Sequence, residues 1–145
     1  MATAKDILLI KGSRVATISP EATVYEAAVR MNEDRIGALV VLEQGQLVGM
    51  FTERDILQRV VGLRRDASQT LVQEVMSTEV MCCQPHTSLE EARGVMKNRR
   101  VRHLPVIGDD GNLVGLISIG DLNAYQTCHH EHTIYMLEQY IHGQT

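Results

Sequence analysis

The feature that most restricts how this chain can fold is a pattern written twice. Displacing the 145-residue sequence by 65 positions lays Pro20-Glu21-Ala22-Thr23-Val24-Tyr25-Glu26-Ala27 on Pro85-His86-Thr87-Ser88-Leu89-Glu90-Glu91-Ala92. The register continues through Met31 and Met96, Arg35 and Arg100, Leu39 and Leu104, Val41 and Val106. One residue is then inserted in the second copy, after which Gly45-Gln46-Leu47-Val48-Gly49 meets Gly111-Asn112-Leu113-Val114-Gly115, and Thr52 and Asp55 meet Ser118 and Asp121. A repeat of this length is one supersecondary unit that buries its apolar face against a neighbour.

Each copy reads as strand, helix, strand, turn, strand, helix. Val15 to Ser19 and Val80 to Gln84 are short extended runs closed by Pro20 and Pro85. Thr23-x-x-Glu26 and Ser88-x-x-Glu91 are capping boxes, in which hydroxyl and carboxylate satisfy orphan amides at a helix start. Val24, Ala27, Ala28 and Met31, then Leu89, Ala92 and Met96, follow at helical spacing. Ala38 to Leu42 and Leu104 to Ile107 are strands that turn at glycine-containing loops into Leu47 to Phe51 and Leu113 to Ile117. Thr52-x-x-Asp55 and Ser118-x-x-Asp121 open two further helices. The expected fold is α/β (α+β): two β-α-β-β-α repeats, 13–70 and 71–127, packed about a pseudo-twofold axis. Residues 61–72 read as a polar connection. Segments 3–12 and 128–142 read as flanking helices outside the repeat, the second with Ile134, Leu137 and Ile141 on one side.

Composition excludes several functions. The charge balance is 14 basic against 18 acidic side chains, a net −4, without the basic surplus of a nucleic-acid coat. Four Tyr, one Phe and no Trp leave little for base stacking. No apolar run approaches the roughly 18–20 residues of a membrane span. Three cysteines, two of them adjacent, and an N-terminus without a signal-peptide pattern fit reduced thiols in a soluble cytoplasmic protein.

The element richest in chemistry is Gly-x-x-Thr/Ser-x-x-Asp, at Gly49, Thr52 and Asp55 and again at Gly115, Ser118 and Asp121. A helix start presents amides and the positive end of the helix dipole, which suits an anion. A carboxylate one turn on can accept from two vicinal hydroxyls. Gly49 and Gly115 permit close approach of backbone. The same residues also make a variant capping box with no further role, and only their recurrence in a matched repeat favours the ligand reading.

Residues 13–126 resemble two consecutive CBS modules, the repeat named after cystathionine β-synthase. The resemblance is carried by Pro20 to Ala27, by Arg-Ile-Gly-Ala-Leu-Val-Val (Arg35 to Val41) and by Leu-Val-Gly-Met-Phe-Thr-Glu-Arg-Asp (Leu47 to Asp55). In the second copy it is carried by Arg-x-Arg-His-Leu-Pro-Val (Arg100 to Val106) and Leu-Val-Gly-Leu-Ile-Ser-Ile-Gly-Asp-Leu (Leu113 to Leu122). The tail resembles that of small stand-alone bacterial members. The resemblance implies two clefts for an adenosine ligand: AMP, ADP, ATP or NAD, with S-adenosylmethionine ranked after them, and no required metal. It implies that Asp55 and Asp121 hold ribose while Thr52 and Ser118 help hold phosphate. Adenine would lie against Ala16, Thr17 and Ile18 with Ile36, Gly37 and Ala38, and against Met81, Cys82 and Cys83 with His103, Leu104 and Pro105. Arg102 and His103 would face the ligand, and Arg54 is a weaker candidate. Flat homodimers are common in the family, so a homodimer is expected, with no nucleic-acid or membrane partner.

Four of the five basic side chains in 73–145, Lys97, Arg99, Arg100 and Arg102, crowd beside His103 in an acidic half. That cluster suits a phosphate; for Lys97 and Arg99 a solvated helix end fits equally well. Cys128, His129, His130 and His132 offer thiolate and imidazole for zinc, but with no fourth ligand nearby a polar helix face is the preferred reading. Met76, Met81, Met96 and Met136 read as core filler, and Cys82-Cys83 as buried and inert. No Walker loop, triad order or unexplained carboxylate pair points to an enzyme. The sequence therefore reads as a regulatory nucleotide-binding module that senses energy or redox state. The alternative is a structural adaptor whose clefts are vestigial.

Overall fold

The computed structural model describes residues 1–131. Both helix starts form as their chemistry predicts. Thr23 accepts the Glu26 amide at 3.1 Å and opens α2, Val24–Asp34; Ser88 accepts the Glu91 amide at 3.1 Å and opens α5, Leu89–Arg99. Each helix is closed by an arginine in the left-handed region, Arg35 at φ 54° and Arg100 at φ 55°, equivalent positions in the two copies.

The chain divides into two compact units. One is Val15–Val80; the other, a composite unit, joins Met1–Arg14 to the chain from Met81 onward. In the 15–80 unit, β1 (Thr17–Ile18) runs parallel to β2 (Ala38–Glu43), which pairs antiparallel with β3 (Gln46–Thr52). In the composite unit, β4 (His103–Ile107) pairs antiparallel with β5 (Leu113–Ser118). The strand expected over Val80 to Gln84 is reduced to a single parallel bridge between Cys83 and Val106. Register shifts fall at Val41/Leu42 and at Val106/Ile107, so even the irregularity is duplicated. The β-α-β-β-α order expected from the sequence is therefore present in the first copy, and in the second with its first strand reduced to that bridge.

Two findings revise the sequence reading. The repeat is larger than it looked: α1 (Ala4–Lys11) and α4 (Val72–Val75) are equivalent elements, one for each unit. The Ala4 amide donates to the Thr87 carbonyl at 2.9 Å, as the Val72 amide does to Ala22 at 2.8 Å. Lys5 donates to Pro85 as Gln73 does to Pro20. Asp6 accepts the Thr3 amide as Glu74 accepts the Leu71 amide. The chain's first helix thus packs in the unit of the second copy, while the stretch read as a polar connection packs in the unit of the first. Thr70 and Val72 are buried there, and Ala67 packs against the same core.

The glycines of the two motifs permit the close approach expected of them. A Cβ on Gly115 would sit 2.6 Å from Leu8 of α1, and one on Gly49 would sit 2.7 Å from Met76 and 2.9 Å from the Ser77 carbonyl. The close approach is made by the protein's own flanking segments. Each unit then has its own core. Val24, Leu39, Val41, Phe51 and Val60 are central in one, and Ile7, Ala92, Leu104, Val106 and Ile117 in the other.

After β3 the chain forms α3 (Glu53–Asp55) and a π-helix, Ile56–Val61. After β5 it forms α6, Ile119–Glu131, which runs unbroken through position 128. Ile134, Met136, Leu137 and Ile141 lie outside the described residues. Met96 is buried, and Met76 and Met81 pack partly buried against the cores. Cys83 is buried, but Cys82 is exposed, which corrects the reading of both as buried. Neighbours on an extended chain face opposite ways, and the Cys83–Val106 bridge turns Cys83 inward. Burial pushes the Cys83 thiol up to about 11.

Candidate functional site

Each Thr/Ser-x-x-Asp motif sits where a strand becomes a helix, and the two are built alike. In the 15–80 unit the Thr52 amide donates to Asp55 Oδ2 at 2.9 Å, while the Asp55 amide donates back to Thr52 Oγ1 at 3.4 Å. The Thr52 hydroxyl also lies 3.3 Å from Asp55 Oδ2. In the composite unit the Ser118 amide donates to Asp121 Oδ2 at 2.9 Å, and the Asp121 amide to Ser118 Oγ at 3.1 Å. The next amides in line are used as well: Glu53 donates to the Gly37 carbonyl at 3.0 Å and Ile119 to the Arg102 carbonyl at 2.9 Å. The helix starts are thus not rows of open donors, as the sequence implied. One amide in each already holds the start of the neighbouring strand.

Those bonds gather the sequence candidates into two half-sites. Ala38 pairs in register with Thr52 and His103 with Ser118, so Ile36, Gly37 and Ala38 lie by Asp55, and Arg102, His103, Leu104 and Pro105 by Asp121. Thr17 and Ile18 join the first group through β1, paired with Val40 and Val41, and the Thr17 carbonyl accepts from Arg30 at 2.9 Å. Cys83 joins the second through its amide, which donates to the Pro105 carbonyl at 2.9 Å. Met81 packs against the composite core. Leu104 is fully buried in that core, which leaves its backbone as the part facing the motif. Arg54 and Arg102 are exposed.

Asp55 and Asp121 are both buried, at 6% and 4% exposure, in places where a bare charge would be costly. The answer to that charge differs between the half-sites. Asp121 Oδ2 receives Lys11 Nζ at 2.5 Å, a lysine 110 positions away, brought in by the last turn of α1. Asp55 has no such lysine, because α4 ends at Val75. Its cation is Arg59 of the π-helix, at 3.9 Å from Oδ1, which also donates to the Val75 and Met76 carbonyls. Glu53 places its carboxylate 3.2 Å from where a Cβ on Gly37 would stand. His103 lies beside Asp121. Burial, reinforced by Lys11 and Arg102 against the opposing pull of Asp121, lowers it to about 4, so the ring is neutral near pH 7.

Lys11, Arg59 and Glu53 were missed by sequence reasoning. Lys11 was assigned to a helix outside the repeat, and no local pattern links it to Asp121. Among the described residues no group of three or more His, Cys, Asp or Glu side chains could hold a metal ion. The side chains of Cys128, His129 and His130, and His132 altogether, lie outside them. No described helix is long and apolar enough to cross a membrane.

A sequence model of the CBS domain matches residues 4–62 and 72–126. The chain belongs to the CBS domain family. Both matches extend to an α1- or α4-type segment, 4–11 in the first and 72–75 in the second. The CBS pair is 44% identical over 126 residues to the CBS domain-containing protein YhcV of Bacillus subtilis, covering 87% of this chain and 86% of that one. It is similar in structure to a CBS-domain containing protein from Agrobacterium tumefaciens (TM-score 0.82, 36% identity, 86% of this chain and 99% of that chain). It is also similar to a CBS domain protein from Pyrobaculum aerophilum solved in complex with AMP (TM-score 0.71, 25% identity, 81% of this chain and 87% of that chain).

Proposed function

We propose that this CBS pair is a regulatory module that binds an adenine nucleotide of the AMP, ADP, ATP or NAD type at Asp55 and at Asp121, and acts by binding rather than by catalysis. The observation that carries this reading is a buried carboxylate kept at the same structural position in both copies. In each, Oδ2 holds the helix start, which leaves Oδ1 to take a ribose hydroxyl, at Asp55 beside Arg59 at 3.9 Å. A CBS relative solved with AMP supports the ligand class. Ligand binding shifts a conformational or assembly equilibrium by no more than the difference in its affinity for the two states.

Thermal shift with AMP, ATP, NAD and S-adenosylmethionine tests the reading. Ligand at about 100 times its Kd adds roughly 2.7 kcal/mol to stability, a rise of several degrees in Tm for a domain of this size. Asp55→Asn and Asp121→Asn keep an acceptor for the cap but replace one carboxylate oxygen with a donor. Each should weaken binding about tenfold or more while the fold persists. No shift with any of the four at millimolar concentration would sink the proposal. It would favour the adaptor reading, which has one observation on its side: the carboxylates already serve as caps.

The working form proposed is a homodimer. Leu57, Val61 and Leu63 are 65%, 63% and 65% exposed on one short stretch of the 15–80 unit, an apolar cost in water that a second copy would remove. Light scattering at micromolar concentration should report twice the 16.2 kDa chain mass; a monomer there would exclude it.

A further inference from the structure

The two half-sites share a carboxylate and differ in what neutralises it, and that difference bears on which ligand each accepts. Lys11 is three-quarters buried at the end of α1, its side chain 26% exposed, and its anion is Asp121 Oδ2 at 2.5 Å. Asp121 is the residue proposed above to take the ribose. Lys11 and the Ser118 amide share Oδ2, so a sugar hydroxyl that donates to Oδ1 draws on the same carboxylate charge and loosens the lysine. A partly buried ammonium loosened from its partner is costly unless another anion takes its place. A bare nucleoside brings none. A nucleotide brings its phosphate, and Arg102 beside the same strand start adds a second cation. The neutral His103 adds no competing positive charge. The Asp55 half-site lacks this arrangement: Arg59 is tied to two carbonyls, and Glu53 adds a carboxylate at Gly37.

We infer that Lys11 is a specificity-determining residue. It moves from Asp121 to the ligand phosphate, so that the Asp121 half-site selects phosphorylated nucleotides over nucleosides, while the Asp55 half-site makes no such demand. The inference rests on the nucleotide-binding reading above and adds the class of ligand to one of its two sites.

The test is calorimetric titration of AMP and of adenosine into the full chain carrying Asp55→Asn, which isolates the Asp121 half-site. With Lys11 present, AMP should bind at least about tenfold tighter than adenosine, the ordinary range for one hydrogen bond to a charged group. Adding Lys11→Met should weaken AMP about tenfold and strengthen adenosine, bringing the two within about threefold. Lys11→Arg, which keeps the charge, should restore the preference for AMP and guards against a mere packing effect of the methionine. Equal changes for both ligands, or an unchanged ratio in Lys11→Met, would overturn the role of Lys11 while leaving nucleotide binding intact. Binding of neither ligand to the wild-type chain would overturn this inference, and the underlying reading would fall with it if ATP and NAD also failed to bind.

Discussion

Replacing Phe51 by alanine should remove about 3–5 kcal/mol of folding stability, measured as a lowered urea midpoint with little change in slope. Phe51 is the only phenylalanine in the chain, lies next to the end of β3 and is fully buried. Its register partner Leu39 on β2 is also fully buried. The pair anchors the core that α2 and α4 cover through Val24, Ala27, Val72 and Val75. Truncation removes the ring's transfer free energy and leaves a cavity that strands held by backbone ladders close poorly. Against a typical total of about 5–15 kcal/mol, such a loss brings the protein near unfolding at room temperature. Leu57→Ala provides the contrast: its side chain is 65% exposed, and its loss should stay within about 0.5 kcal/mol in the monomer. The equivalent of Phe51 in the other copy is Ile117, fully buried opposite Leu104, and Ile117→Ala should cost about 2–5 kcal/mol. A loss below about 1 kcal/mol for Phe51→Ala would mean that β3 does not face the core as described.

Why these positions were legible in the sequence follows from the range of the forces that fix them. A capping box is decided within four residues, so Thr23 and Ser88 announce α2 and α5 without reference to the rest of the chain. Apolar periodicity marks the buried faces, and a duplicated pattern confirms each assignment twice. The placement of the two motifs was legible for the same reason: Thr52 and Ser118 sit inside the repeat, and their strand partners Ala38 and His103 follow from antiparallel register.

What stayed hidden was decided by contacts distant in sequence. Thr3-Ala4-Lys5-Asp6-Ile7 and Leu71-Val72-Gln73-Glu74-Val75 share little beyond an acidic residue at the same helical position and an apolar one after it. They are also spaced differently from the repeats they precede. Only the packing shows that they are the same element. The π-helix after Asp55 has no period that separates it from an α-helix over six residues. Cys82 and Cys83 form too short an extended run for alternation to declare which one faces inward. The Lys11–Asp121 pair joins residues 110 positions apart, and it exists because α1, at 8 residues against 4 in α4, continues past Ile7 to Lys11.

The neighbour of that pair carries the second large effect. His103 is held near a pKa of about 4 in the native chain, against an ordinary 6.5. Above pH 6.5 the ring is neutral in both folded and unfolded chains, and native burial carries no penalty. As pH falls below 6.5, the unfolded chain binds a proton that the native one does not until about pH 4, so stability declines through that window. Between pH 7.5 and pH 5 the loss from this one group should be about 2 kcal/mol, with more lost toward pH 4. Urea midpoints across that range should show the decline in the wild type and a flatter profile in His103→Gln, which cannot take up the proton. Identical profiles would show that His103 is not held neutral. Burial is the largest cause of the shift and Lys11 the next. Lys11→Met should therefore raise the His103 pKa and flatten the same profile part of the way. The acid sensitivity of the fold, in the part that burial does not set, and the ligand preference of the Asp121 half-site thus share one lysine, and the two measurements check it independently.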